Sequence, residues 1–186
     1  MHNTLMRVTR DNSVATIIDV QARLHPHMHD VESVTARLVT LIRGLTALGI
    51  PTLVTEQYPK GLGPTIDPVR EAFGDDFAPI EKAAFSCCDE SAYSARLAET
   101  DRKTVLIAGI EAHVCVLQTT LDLLDGGYDP VVVLDATSSR NPRDQEIAAR
   151  RIEREGGRIT SVESILFELT RVSGTPLFKE ISHLVK

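Results

Sequence analysis

Three residues, each at or just beyond the end of an apolar run, are best suited to chemistry in this chain: Asp19, Lys82 and Cys115. Cys115 follows the apolar run 105–108 and Gly109. Around and beyond it, Val114, Val116, Leu117, Leu121 and Leu124 recur at the spacing of an amphipathic helix. The thiol is therefore expected in or near the first turn of a helix, where unpaired amides and the positive end of the dipole stabilise a thiolate and a neighbouring oxyanion. Asp19 ends the run 14–19 and Lys82 ends the run 79–82. If these runs are strands of one parallel sheet, all three side chains lie outside its carboxyl edge, where such sheets bind ligands. A thiol, a carboxylate to take its proton and an ammonium to favour the thiolate make a set for covalent catalysis. Each residue alone has a plainer account: a small buried hydrophobe, a loop acid, a surface charge. Their joint placement weighs against those accounts.

The elements that carry them alternate. Apolar runs at 14–19, 51–55, 79–82, 105–108, 130–134 and 158–162 read as six strands. Between them, helical periodicity runs through Val31, Val34, Leu38, Leu41, Ile42 and Leu45, closed by Leu48 and Gly49, and is expected again over 68–73, 89–98 and 142–155. The stretch from Tyr58 to Pro64 is rich in turn residues and reads as a loop. Strands separated by helices imply right-handed crossovers, hence an α/β fold: a three-layer αβα sandwich on a six-stranded, mostly parallel sheet. The last stretch, 173–186, carries Leu177, Phe178, Ile181 and Leu184 at helical spacing. It is expected to pack on the domain or to reach a second subunit.

With 186 residues, 42% hydrophobic and 25% charged, the chain suits one domain over 1–186. Three cysteines do not make a disulfide framework, and neighbouring Cys87 and Cys88 are poorly placed to bridge. Neither a signal segment nor an apolar run long enough to span a bilayer is found, so a soluble cytoplasmic protein without a membrane partner is expected. A net charge of −6 and eight aromatic residues, none of them tryptophan, disfavour nucleic acid as a partner. The arginines at 150, 151 and 154 alternate with Glu146, Glu153 and Glu155, which reads as a solvated, self-paired helix face. No glycine-rich phosphate loop follows the first strand, which sets aside a nucleotide-binding domain.

The segments Asp19-Val-Gln21, Lys82-Ala-Ala-Phe-Ser86, Gly109-Ile-Glu-Ala-His-Val-Cys115 and Val132-Val-Leu-Asp135-Ala-Thr-Ser-Ser-Arg140 together resemble the isochorismatase-like cysteine hydrolases. The wording of the third is closest to the isochorismatase domain-containing branch. The resemblance covers nearly the whole chain and implies the Rossmann-like fold of that superfamily. It also implies a catalytic set of Asp19, Lys82 and Cys115, an oxyanion hole from the backbone amides of Glu111 and Cys115, and a cis bond between Ile110 and Glu111. A homo-oligomer is implied as well, with 177–184 as one candidate interface. By this reading Lys82 and the helix start lower the pKa of Cys115 and make it the most reactive of the three thiols.

Metal-dependent nicotinamidases, which the chain resembles up to the second strand, have a metal-binding aspartate and histidine where this sequence has Glu56 and Tyr58. Tyrosine does not replace a neutral imidazole there, so no metal and no other cofactor is expected. His25, His27 and His29 alternate in a proline-containing loop and read as a mobile rim. Gln21, Phe85 and His113 are candidate substrate-pocket residues. The expected activity is metal-independent hydrolysis of a small-molecule amide or related carbon–nitrogen bond through a covalent cysteine intermediate. The alternatives are a non-enzymatic oligomeric interaction protein on the same fold, and an isochorismatase acting on a vinyl ether. That last substrate, a dianion, would call for cationic anchors beyond Lys82.

Overall fold

A computed structural model describes residues 7–186. Six strands, β1 (Ser13–Ile18), β2 (Thr52–Gln57), β3 (Ile80–Lys82), β4 (Thr104–Ile110), β5 (Asp129–Ser138) and β6 (Arg158–Thr160), form one sheet in the order β3-β2-β1-β4-β5-β6. Every pairing is parallel. The order reverses between β1 and β4, so the crossovers on either side of that pair diverge and leave a crevice beyond their carboxyl ends. Asp19 is the first residue past β1.

The helices are α1 (Val31–Ala47), α2 (Pro59–Leu62), α3 (Asp67–Phe73), α4 (Ser91–Glu99), α5 (Leu117–Asp125), α6 (Pro142–Glu155), α7 (Val162–Thr170) and α8 (Pro176–Leu184). Alternation along β1 explains the two cores. Ala15 and Ile17 face α1, α3, α7 and α8, while Val14 and Ile18 face Tyr93 and Leu97 of α4, Leu117 and Leu123 of α5 and Ile152 of α6. The expected three-layer α/β sandwich is therefore present. Its boundaries at α6 follow from local chemistry. Asn141 accepts a hydrogen bond from Arg143 N, Pro142 sits in the first turn, and Gly156 ends the helix with φ +102°. On its outer face Arg150 pairs with Glu146 at 3.6 Å, one turn earlier.

The expected boundaries need correction in places. The sixth strand stops at Thr160, and Ser161 caps a helix whose Val162, Ile165, Leu166 and Leu169 are buried. Val162 thus begins α7 rather than ending β6. Part of the loop 58–64 is the short helix α2. The C-terminal α8 lays its apolar face on its own domain: Ile181 is fully buried in the α1-side core, with Leu177, Leu184 and Val185 packed against that core. α8 thus takes the first of its two expected placements, packing on its own domain against α1 and α7.

Gly109 lies inside β4 rather than at its end. Its φ is +116°, and a Cβ there would stand 2.1 Å from the carbonyl oxygen of Ile18. Only glycine lets β4 lie this close to the last residue of β1.

Candidate active site

Three strand ends deliver the reactive side chains to the crevice. Asp19 adopts a left-handed conformation (φ +52°) directly after β1, and its amide donates to Thr55 O of β2 at 3.2 Å. Lys82 is the last residue of β3. Beyond β4 the chain passes a cis peptide between Ile110 and Glu111, as the resemblance implied, and enters a wide π-helical turn, Ala112–Val116, before α5 begins. Cys115 sits in that turn. Such π turns recur at functional sites.

The structure brings Asp19, Lys82 and Cys115 together. Lys82 Nζ is 2.7 Å from Asp19 Oδ2 and 3.6 Å from Cys115 Sγ. All three residues are buried. The second carboxylate oxygen, Asp19 Oδ1, accepts a 2.7 Å hydrogen bond from the Thr55 hydroxyl. Oδ2, although ion-paired, accepts no aligned hydrogen bond. Besides Asp19, the Lys82 ammonium reaches three more oxygens: Gln57 Oε1 at 2.6 Å, and the carbonyls of Ala84 and Phe85 at 3.1 Å each.

The electrostatics correct one expectation. Burial pushes the Cys115 thiol up to about 12, Asp19 pushes the same way, and Lys82 pulls it down without offsetting them. Burial also raises Cys87 to about 11 and Cys88 to about 12. For Lys82 burial acts downward, but Asp19 and Cys115 outweigh it and the pKa is raised. With burial and Asp19 both acting against the thiolate, the nearby ammonium does not by itself favour an ionised Cys115. A buried thiol of this kind attacks at neutral pH only with a group beside it that can take its proton, and a carboxylate has the chemistry for that.

The candidate pocket residues divide. Both ends of the buried Gln21 amide are committed to main chain. Nε2 donates to Gln57 O at 2.9 Å and to Gly63 O at 2.7 Å, and Oε1 accepts from Gln57 N at 2.8 Å. It braces the loop after β1 against β2, and its side chain has no donor left for a substrate. Phe85 is 55% exposed beside the lysine, and its carbonyl is one of the ammonium's partners. His113 Nδ1 bonds the Ser139 hydroxyl at 2.9 Å.

The histidine segment is better anchored than a mobile rim would be. It forms a 3-10 turn, His25–His27, in which His25 Nε2 bonds Thr35 of α1 at 2.7 Å, and the His29 amide donates to Ser139 O. Glu56 Oε1 accepts hydrogen bonds from the amide and the hydroxyl of Thr65, at 2.7 and 2.8 Å, while Tyr58 is 60% exposed.

Sequence reasoning missed Thr55, Gln57 and Arg140. Thr55 and Gln57 are both on β2, and only the structure shows that they face Asp19 and Lys82. Arg140 Nε pairs with Glu111 Oε1 at 2.9 Å, and these two line an open cleft of about 560 Å³ with Leu24 and His27. The two serines before Arg140, Ser138 and Ser139, tie the same wall to His29 and His113.

The Isochorismatase domain model matches residues 13–164. Isochorismatase family protein 1B of Dictyostelium discoideum is 38% identical over all of this chain and 92% of its own length. The structure of the MAR1 ribonuclease from Caenorhabditis elegans is 36% identical and superposes with a TM-score of 0.90, covering 96% of this chain and 92% of that one. The YcaC gene product of Escherichia coli, described as an octameric hydrolase of unknown specificity, shares the fold at 23% identity. Its TM-score is 0.85, over 90% of this chain and 83% of that one.

Proposed function

The chain belongs to the isochorismatase domain family of hydrolases, and from that membership we propose that it cleaves a small amide, or a related carbon–nitrogen bond, through a covalent Cys115 intermediate. The observation that carries this reading is the buried cluster in which one ammonium stands 2.7 Å from a carboxylate and 3.6 Å from a thiol. Asp19 Oδ2 takes the thiol proton as Sγ attacks the carbonyl carbon. The backbone amides of Glu111 and Cys115 receive the oxyanion. Collapse expels the nitrogen, which takes the proton back from Asp19 and leaves a thioester. A water then gives its proton to Asp19 as it attacks the thioester, and collapse releases the acid and the Cys115 thiolate, which takes that proton back from Asp19. Throughout, the Lys82 ammonium stabilises the anion, whether on sulfur or on the carboxylate.

A metal-independent route fits the donor set. Glu56 is committed to Thr65, Tyr58 points to solvent, and among the described residues no group of three or more His, Cys, Asp or Glu could hold a metal ion. A small substrate fits a thiol that is only 5% exposed, and the net charge of −6 disfavours RNA. The Arg140 charge is paired with Glu111, which weakens the case for a dianionic vinyl ether. Retention of all three groups of the cluster weighs against a purely structural role. A homo-oligomer is part of the reading, by likeness to the octameric YcaC product, with an interface that does not use the buried apolar face of α8. Three free cysteines suit a reducing compartment such as the cytoplasm. Among the described residues no helix is long and apolar enough to cross a membrane.

The test is a panel of small amides, ureas, carbamoyl compounds and one dianionic vinyl ether, assayed with and without a strong chelator. The expected result is release of ammonia or amine at the same rate in both conditions. Turnover of the vinyl ether alone, or activity abolished by the chelator, would overturn the reading.

A further inference from the structure

Lys82 has more acceptors than protons. An ammonium offers three N–H bonds, yet four oxygens lie within 3.1 Å of Nζ: Asp19 Oδ2, Gln57 Oε1 and the carbonyls of Ala84 and Phe85. The shortest of these contacts, 2.6 Å, is to the neutral amide of Gln57 rather than to the carboxylate at 2.7 Å. Two constraints fix which end of that amide faces the ammonium. Gln57 Nε2 donates to Ala83 O at 2.7 Å, so its oxygen must turn to Lys82, and its own amide and carbonyl are clasped by the buried Gln21. The Gln57 side chain is thus preorganised to hold one N–H of the ammonium, while Asp19 Oδ2, 2.7 Å from Nζ, accepts no aligned hydrogen bond.

Resting on the proposed thiol–carboxylate mechanism, we propose that Gln57 is a positioning residue that divides the Lys82 charge between Asp19 and Cys115. If an N–H bond of Lys82 is released from Gln57, it turns to the anionic acceptor already 2.7 Å away, Asp19 Oδ2. A carboxylate held more tightly by the ammonium is a poorer acceptor for the thiol proton. The groups that share protons here come from every element around the crevice: Asp19 after β1, Lys82 on β3, Cys87 in the turn before α4 and Cys115 in the turn before α5. Cys87 contacts the Asp19 partner Thr55, with Sγ 4.0 Å from the hydroxyl. Protons in such a cluster belong to the cluster as a whole.

The experiment needs no substrate. Iodoacetamide is added to the full chain across a pH series, and alkylation of the Cys115 peptide is followed by mass spectrometry for wild type, Gln57→Met and Gln57→Glu. Methionine keeps the length and removes the acceptor. At neutral pH, where attack requires Asp19 to take the thiol proton, the rate should fall about tenfold to a hundredfold, the worth of one charge-assisted hydrogen bond. With the whole ammonium returned to the anionic partners, the rate–pH profile should also move to lower pH. Glutamate places a second negative charge on Lys82, disfavours another anion in the cluster, and should move the profile to higher pH. A residue that merely braces β2 would scale the rate at every pH in both variants and shift neither profile. Two unshifted profiles, or two shifts of the same sign, would overturn the proposal. If wild-type Cys115 is labelled no faster than Cys87 and Cys88, it is the thiol–carboxylate reading itself that fails.

Discussion

Asp19→Asn should lower turnover by about 10²–10⁴-fold while leaving Cys115 easier to alkylate at alkaline pH. The two readouts move apart because Asp19 has two opposed effects on the thiol. As a base it accepts the proton during attack, and asparagine does not. As a neighbouring charge it is, after burial, the largest influence raising the Cys115 pKa to about 12. Removing the charge leaves Lys82 as the dominant partner, so the thiolate becomes more accessible even as the catalytic proton route is lost. The fold should survive at reduced stability. The amide oxygen of the introduced asparagine can still accept from the Thr55 hydroxyl, and the buried ammonium keeps neutral contacts with Gln57, Ala84 and Phe85. Loss of a buried counter-ion costs about 3–5 kcal/mol, and those three acceptors place this variant toward the lower end. Turnover, alkylation at alkaline pH and urea unfolding check the three parts separately. An Asp19→Asn protein with near wild-type turnover and a normal unfolding transition would remove Asp19 from proton transfer.

The largest loss is expected for Cys115→Ala: about 10⁴-fold or more, because no other described group near the crevice matches a thiol placed 3.6 Å from an ammonium. The structural cost should be small. Cys115 is a compact buried side chain, and shortening it to alanine leaves the Asp19–Lys82 pair intact, so a change of about 1 kcal/mol is expected. Cys87→Ala and Cys88→Ala are the controls. Cys87 packs behind Thr55 and Cys88 lies against the carbonyl of Thr119, and neither touches Lys82 at hydrogen-bonding distance. Both should retain turnover within a few-fold. Loss of activity in either control with Cys115→Ala active would move the nucleophile.

Most of the fold is legible in the sequence because it depends on local signals. The β-branched and aliphatic runs mark strands, and Asn141, Pro142 and Gly156 mark the two ends of α6. The helix α7 escapes that reading because Ile159 and Val162 extend the apolar run of β6 across the cap at Ser161, although Val162, Ile165, Leu166 and Leu169 do carry helical spacing. The site divides along the same line. Asp19, Lys82 and Cys115 are visible because strand ends converge by topology. Thr55 and Gln57 are not, because alternate residues of β2 differ in what they meet only once β1 and β3 lie beside it in register. Gln21 shows the reverse failure. Its position two residues past Asp19 suggests a substrate contact, but its amide ties the loop after β1 to the end of β2 and to Gly63. The pKa of Cys115 is likewise a property of depth. The chain order reveals the nearby ammonium, whereas the burial that outweighs it appears only in three dimensions.

The covalent role of Cys115 is tested most directly by catching the intermediate. Wild-type protein turning over the best amide from the panel is quenched in acid, digested, and analysed for an acyl mass on the Cys115 peptide and on the peptide that carries both Cys87 and Cys88. The account predicts that mass on the Cys115 peptide, absent without substrate and discharged on longer incubation as product forms. Turnover with an unmodified Cys115 at every quench time, or an acyl group on Cys87 or Cys88 instead, would contradict it.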